Sequence, residues 1–172
     1  MSKKTKQLTI NAMMAAMCAV LGYLSLDFGN LKITFESLPI LLCALMFGPL
    51  DGMAVGGLGT LVYQLLRYGV SVTTPLWMLP YIACGLAAGW YARKENFSLS
   101  ARQVMGVVVA SELLITILNT GVLYLDSKIY GYYSAAFIFG SLLPRLALCI
   151  GKGMVFGAVL PGIIRPVRRS LR

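Results

Sequence analysis

The sequence predicts an all-α integral membrane protein that forms a single membrane domain over residues 1–172. Three observations support this fold class: an apolar composition, several apolar segments of membrane-spanning length, and basic residues gathered outside those segments. Of the 172 residues, 58% are hydrophobic and 12% are charged, which is typical of membrane proteins. The basic clusters account for the net charge of +9, and such clusters orient helices in a bilayer. No basic soluble scaffold accompanies them, so nucleic-acid binding is not expected.

Six transmembrane helices follow from the order of apolar segments and basic clusters. The stretch 35–67 is ambiguous, because it can form one long helix or two helices separated at Gly48-Pro49. With a cytoplasmic N terminus, a single helix there would leave Arg93 and Lys94 outside, against the positive-inside rule. Two helices place these residues and both chain termini in the cytoplasm, and a proline favours a helix end just before it. The predicted helices cover about 8–24, 35–48, 50–67, 76–92, 103–124 and 134–164.

Two of these helices have unusual lengths. The second is shorter than the roughly 20 residues that a helix needs to cross a bilayer unaided. It must therefore be sheltered by protein or line a cavity. The last helix is long for one span, and Pro144 is expected to kink it. The chain is thus predicted to be a multi-pass protein of the cell membrane.

Ionisable side chains within the predicted helices are few, and they indicate a ligand site. Arg145 and Lys152 are seven residues apart, so both project from one face of the last helix, at a depth where charge is costly. Lys152 is expected to pair with Glu112 on helix 5, although a ligand role for this pair stays open. No acid is expected at the depth of Arg145, so its planar guanidinium suits a ligand carboxylate, with Arg67 as second candidate.

Further polar and aromatic residues lie toward the outer side in this topology. Gln64 shares a helix face with Arg67, and Asn119 shares one with Glu112. Most tyrosines also lie outside, where they either stack on a ligand or form a simple interfacial belt. Glu36 either caps helix 2 or accepts hydrogen bonds from an amino-bearing ring. The candidate substrate-binding residues are Arg145, Arg67, Gln64, Trp77, Asn119, Tyr68, Glu36 and Tyr132.

Small residues indicate where helices approach one another or a partner. Helix 1 has a strip of alanines that serves either a partner helix or internal packing. A short extended stretch is expected in LKITFE, before helix 2, because apolar and polar residues alternate there. The alanine strip of helix 1 consists of Ala12, Ala15, Ala16 and Ala19. Further small-residue motifs are Gly52-x-x-x-Gly56, Gly85-x-x-x-Gly89 and Gly153-x-x-x-Gly157.

Several kinds of chemistry are not expected. The sequence has no histidine, and its four cysteines are scattered singly through apolar segments, so no metal site is predicted. No phosphate-binding loop and no close pair of carboxylates for acid–base catalysis occur. The chain is therefore not expected to be an enzyme or to hold a cofactor, and any energy that its activity needs would have to come from elsewhere.

Three segments point to a known family: AMMAAMCAVLG, LKITFESLPILLCALMFGPLDGMAVGGLG and YLDSKIYGYYSAAFIFGSLLPR. Over about residues 8–165 the chain resembles the substrate-binding S components of energy-coupling factor (ECF) vitamin transporters, most closely the folate-specific FolT-type group. The resemblance implies six membrane helices that bind a vitamin from outside. It also implies a transmembrane coupling subunit and two cytoplasmic ATPases, which bind the ATP.

The family's Ala-x-x-x-Ala motif, which contacts the coupling subunit, corresponds to Ala12 and Ala16, with Ala15 and Ala19 adjacent. Many folate-type members have an aspartate after the glycine-rich turn, where this chain has GTLVYQ ending at Gln64. With Gln64 in place of that acid, a different ring could be recognised. Over the whole chain the resemblance implies a folate-binding subunit of an ABC importer. Other vitamins (pantothenate, riboflavin, thiamine), an integral-membrane enzyme and a scaffold without ligand are the alternatives.

Overall fold

The computed structural model describes residues 3–28 and 31–171. Within these residues the chain is helical apart from one short antiparallel hairpin that follows the first helix. Six of the helices have between 11 and 30 residues, and a seventh has 5. The elements are α1 (Lys3–Tyr23), β1 (Leu26–Phe28), β2 (Leu31–Ile33), α2 (Ser37–Phe47), α3 (Pro49–Tyr68), α4 (Thr74–Lys94), α5 (Ala101–Ile129), α6 (Ala135–Phe139) and α7 (Leu142–Leu171).

The ambiguous stretch forms two helices, with the break at the predicted place. Gly48 has φ of 109°, which glycine adopts without steric penalty, and its N–H closes α2 by donating to the Ala44 carbonyl. Pro49 then occupies the first position of α3, where a missing N–H costs nothing. The β2 strand lies in the segment LKITFE, as expected from its alternating pattern.

The short helix α2 is enclosed by protein. Its residues from Pro39 through Met46 are all buried. It packs against α1, α3, α4 and α7, so its apolar side chains form the centre of the core. A helix too short to cross a bilayer is sheltered here in the way that the sequence requires.

The glycines of α3 and α4 let these two helices touch through their backbones. A Cβ atom on Gly85 would lie 2.3 Å from the carbonyl carbon of Gly52, and one on Gly56 would lie 2.6 Å from the Tyr81 carbonyl oxygen. Real Cβ atoms do not approach so closely. The small-residue motifs of these helices therefore mark a close contact inside the molecule.

The predicted helix over about 134–164 is divided in two, which corrects the sequence-based expectation. α6 ends at Phe139, and the N–H of Gly140 closes it by donating to the Ala136 carbonyl. α7 begins at Leu142, so Pro144 falls in its first turn, where proline is tolerated. The break therefore comes from Gly140, and Pro144 does not kink the interior of a longer helix.

Two helices of the described chain, α5 and α7 from Leu142 through Ile164, are long and apolar enough to cross a bilayer by length and composition. Exposed apolar side chains on them, such as Ile117 and Leu143, fit contact with lipid.

α5 starts with a capping box, because the Ser100 hydroxyl accepts from the Gln103 N–H and the Gln103 side chain accepts from the Ser100 N–H.

Candidate functional site

A cavity of about 710 Å³ lies between the hairpin, helices α3, α4, α5 and α7, and the segment that follows α5. This volume is in the range of small-molecule sites, which hold roughly 300–1,000 Å³. Both polar and aromatic side chains face it. Of the predicted substrate-binding residues, those in its lining are Arg145, Gln64, Trp77, Asn119, Tyr68, Glu36 and Tyr132.

Arg67 is the predicted binding residue that lies outside this lining. Its Nη1 donates to the backbone oxygen of Tyr23 at 3.0 Å and to the Ser25 hydroxyl at 2.6 Å, and its guanidinium lies 5.8 Å from the Tyr68 ring centre. These contacts fasten the end of α1 to the end of α3. A ligand role for Arg67 stays a prediction.

Lys152 and Glu112 form the expected ion pair. The Lys152 Nζ is 2.7 Å from Glu112 Oε2 and also donates to the Thr34 carbonyl at 3.1 Å, while the Ser37 hydroxyl donates to Glu112 Oε1 at 2.5 Å. Glu112 has no exposed surface, so its charge depends on these partners. Since Thr34 and Ser37 flank the start of α2, the pair joins α5 and α7 to that helix. Both charged residues also line the cavity.

A second acid of α5, Asp126, has a different environment. Its Oδ1 accepts from the Trp77 indole N–H at 3.3 Å, and its Oδ2 accepts a short hydrogen bond from the Tyr132 hydroxyl. Burial and this bond raise the pKa of Tyr132 above the usual value for tyrosine, so the phenol stays protonated and donates. The Lys128 ammonium lies 4.0 Å from the Tyr133 ring centre.

Glu36 occupies the N-cap position of α2, but its side chain makes no capping hydrogen bond, so that alternative is wrong. The carboxylate is almost fully buried and lies against α1, where a Cβ on Gly22 would be 2.8 Å from Oε2. Tyr81 lines the same cavity, and its hydroxyl accepts from the Asn119 amide at 3.4 Å. Glu36 is therefore one of a cluster of polar side chains that line the cavity, together with Tyr81 and Asn119.

Sequence reasoning did not select several polar lining residues as binding candidates. Tyr81 and Asp126 were conspicuous, since each is a polar group in an apolar helix. The hydroxyl groups carried no such signal, because serine and threonine are common in loops and helix ends. Those that line the cavity are Thr34, Ser71, Thr73, Thr74 and Thr116.

The alanine strip of α1 is divided between two faces. Ala12 and Ala16 are exposed, beside exposed Met13. Ala15 and Ala19 are less accessible: Ala19 is buried, and the Ala15 carbonyl would be 3.0 Å from a Cβ on Gly59 of α3. For Ala15 and Ala19 the structure therefore supports internal packing, since the narrow glycine face of α3 draws that side of α1 inward.

Comparison with known proteins assigns the chain to a family. The sequence profile of the ECF transporter substrate-specific component matches residues 6–165. The chain belongs to this family. The biotin S component from an ECF-type ABC transporter, a crystal structure, has a similar fold: the TM-score is 0.68 with 18% identity over 98% of this chain and 95% of that one. The S component of a bacterial ECF transporter gives a TM-score of 0.65 with 20% identity over 98% and 99%.

Direct sequence comparison with curated proteins yields no significant match. At such low identities the structural likeness shows the S-component fold, and the family supplies the coarse role. S components are integral membrane proteins that bind the substrate of a transporter and are not an enzyme class. They work with an ECF module made of ATPases and a coupling subunit.

Proposed function

We propose that this S component binds folate for an ECF-type importer of the cell membrane. The supporting observation is that one cavity collects nearly all the side chains selected for ligand binding, with Arg145 among them. The lining combines flat aromatic rings, hydrogen-bonding groups and charges of both signs. Folate carries a donor- and acceptor-rich pterin ring and a glutamyl tail, so its two ends match these two kinds of contact.

In this proposal the pterin stacks among Trp77, Tyr68 and Tyr132, and Arg145 holds a glutamyl carboxylate. Arg145 lies in the first turns of α7 and is half-buried, where a guanidinium–carboxylate pair is stronger than in water. Arg67 would have to leave its contacts with Tyr23 and Ser25 to reach the ligand. We therefore assign the carboxylate to Arg145 first.

The proposed topology has six spans, with both termini in the cytoplasm and the cavity opening outward. The exposed alanines Ala12 and Ala16 would contact the coupling subunit, because small side chains let a partner helix approach closely. Two cytoplasmic ATPases would bind the ATP, and this chain would need no cofactor of its own. Arg93 and Lys94, both exposed at the end of α4, are then cytoplasmic, in agreement with the positive-inside rule.

The test is a binding titration of the purified full chain with folic acid, with identification of any small molecule that copurifies. We expect a nanomolar dissociation constant and no competition by riboflavin, thiamine, pantothenate or biotin. Arg145→Ala should weaken folic acid binding by about 1–3 kcal/mol, because a charged hydrogen bond is lost. Arg102→Ala, at an exposed position outside the cavity lining, is the matched control. Binding of another vitamin in place of folic acid would refute the proposal.

A further inference from the structure

The two acids that α5 places in the cavity differ in how their charge is met. Glu112 has the Lys152 ammonium at 2.7 Å. Asp126 is similarly inaccessible, with 8% of its surface exposed, yet in the described part of the chain its hydrogen-bond partners are the neutral donors Trp77 and Tyr132. The nearest cation in sequence, Lys128, has its ammonium over the Tyr133 ring. Asp126 therefore presents a negative charge that neutral groups alone solvate.

This arrangement leaves acceptor capacity directed at the cavity. A carboxylate offers about four lone-pair sites. Trp77 and Tyr132 use one site on each oxygen of Asp126, which leaves a second site on each. A buried carboxylate without a cation is costly unless further donors reach it. Because Asp126 lines the cavity, a bound molecule can supply those donors.

We propose that Asp126 is a specificity-determining residue that accepts paired N–H donors from an amino-substituted heteroaromatic ring. Two remaining lone pairs, one on each oxygen, match two parallel donors such as the amino group and adjacent ring N–H of a pterin. Trp77 and Tyr132, which hold the carboxylate, also provide aromatic surface beside it. This inference rests on the proposed function, because it assigns the ring end of the vitamin in the same cavity.

Selectivity follows from the same contact. A site with a buried acceptor rejects a ligand that lacks the donor, since the acceptor then loses its water without gaining a partner. A vitamin whose ring carries no amino group would therefore leave Asp126 without the donors that it needs. An anionic group placed here would meet the carboxylate itself, so the acidic end of the ligand belongs near Arg145 and not near Asp126.

The test compares two probes on the purified full chain: folic acid and its 2-desamino analogue, in which hydrogen replaces the ring amino group. The wild type should bind the analogue about 10- to 100-fold more weakly, the range for a hydrogen bond to a charged group. Asp126→Asn should weaken folic acid by a similar factor and bind both probes almost equally, because one contact has been removed from either side. Asp51→Asn, the same change outside the cavity lining, should keep the wild-type preference.

A second variant protects the test if Asp126→Asn does not fold. Asp126→Glu keeps the charge but moves the carboxylate by one methylene, so it too should lose most of the preference for folic acid. Equal wild-type affinity for the two probes would overturn the inference. So would a preference that survives in the folded Asp126 variants, since another residue would then read the amino group.

Failure of the proposed function is distinguishable from failure of this inference. If the wild type binds a pterin without the glutamyl tail instead of folic acid, folate is wrong, and the same cycle is run with that pterin and its 2-desamino analogue. Loss of discrimination in the Asp126 variants would then still support the inference. If the wild type binds only thiamine, riboflavin, pantothenate or biotin, which offer no amino group beside a ring N–H, or none of these vitamins, the inference is overturned as well.

Discussion

Replacing Lys152 with methionine tests whether the ion pair between Lys152 and Glu112 stabilises the fold. The change keeps the length of the aliphatic chain but removes the ammonium that lies 2.7 Å from Glu112 Oε2. Glu112 would keep the Ser37 hydroxyl as donor, but its fully buried charge would have no cation. Breaking a buried pair from one side typically costs about 3–5 kcal/mol, so we expect a loss of stability of that size.

The reverse change, Glu112→Gln, should cost less. Lys152 retains 16% of its side-chain surface and lines the cavity, so its ammonium can turn toward water and keep its bond to the Thr34 carbonyl. The double variant Lys152→Met with Glu112→Gln should recover much of the larger loss, because no unpaired charge remains. The asymmetry and the recovery together identify a buried pair whose acid is the more enclosed partner.

The differences in the free energy of unfolding are measured by titrating the purified proteins with denaturant in detergent. Lys128→Met is the matched control: this ammonium lies over the Tyr133 ring on an exposed residue, where a cation–π contact is worth about 0.5–1 kcal/mol. The reasoning is refuted if Lys152→Met is no more destabilising than Lys128→Met, or if the effects of the two single changes in the pair simply add.

Two further predictions concern helix packing and the partner surface. Gly85→Ala should destabilise the protein by about 1–3 kcal/mol in the same unfolding assay, because its Cβ would overlap the Gly52 backbone. The control Gly106→Ala has open space around the new Cβ, so it should be neutral or slightly stabilising. A normal stability for Gly85→Ala would contradict the close contact of α3 and α4. Ala16→Phe, on the exposed face of α1, should reduce copurification with the coupling subunit without changing ligand affinity. Ala19→Phe, at a buried position, should instead reduce the stability of the protein. Copurification of Ala16→Phe at the wild-type level would mean that the coupling subunit binds a different surface.

The helix order could be predicted because charge and backbone chemistry agreed. The location of Arg93 and Lys94 required two helices in the ambiguous stretch, and Gly48-Pro49 is a sequence that ends one helix and starts another. The division of the last apolar segment at Gly140 was missed, although glycine is also a helix terminator there. Arg145 and Lys152 lie inside this segment and not beside Gly140, so they did not mark a helix boundary, and length alone suggested a continuous helix.

The alanine strip shows what periodicity cannot decide. Four alanines spaced by three and four residues mark one side of α1, but that side is wide enough to meet two different surroundings. The Ala15 backbone lies beside Gly59 of α3 and Ala19 is buried, while Ala12 and Ala16 stay exposed. The division depends on a neighbour that is distant in sequence, so only the folded structure could supply it.

The charged residues carry the site for a physical reason that the sequence shows only in part. A charge within an apolar helix signals a site, because it needs compensation, but the sequence does not say whether a side chain or a ligand provides it. On one helix the structure shows Glu112 compensated by Lys152, whereas Asp126 has neutral donors, and a ligand is our proposal for it. Removing one partner of an ion pair within the protein should mainly lower the stability of the fold. Removing an acid that is compensated by a ligand should mainly lower the affinity for that ligand. Measuring both quantities for variants of Glu112 and Asp126 therefore tests the fold and the function with one set of proteins.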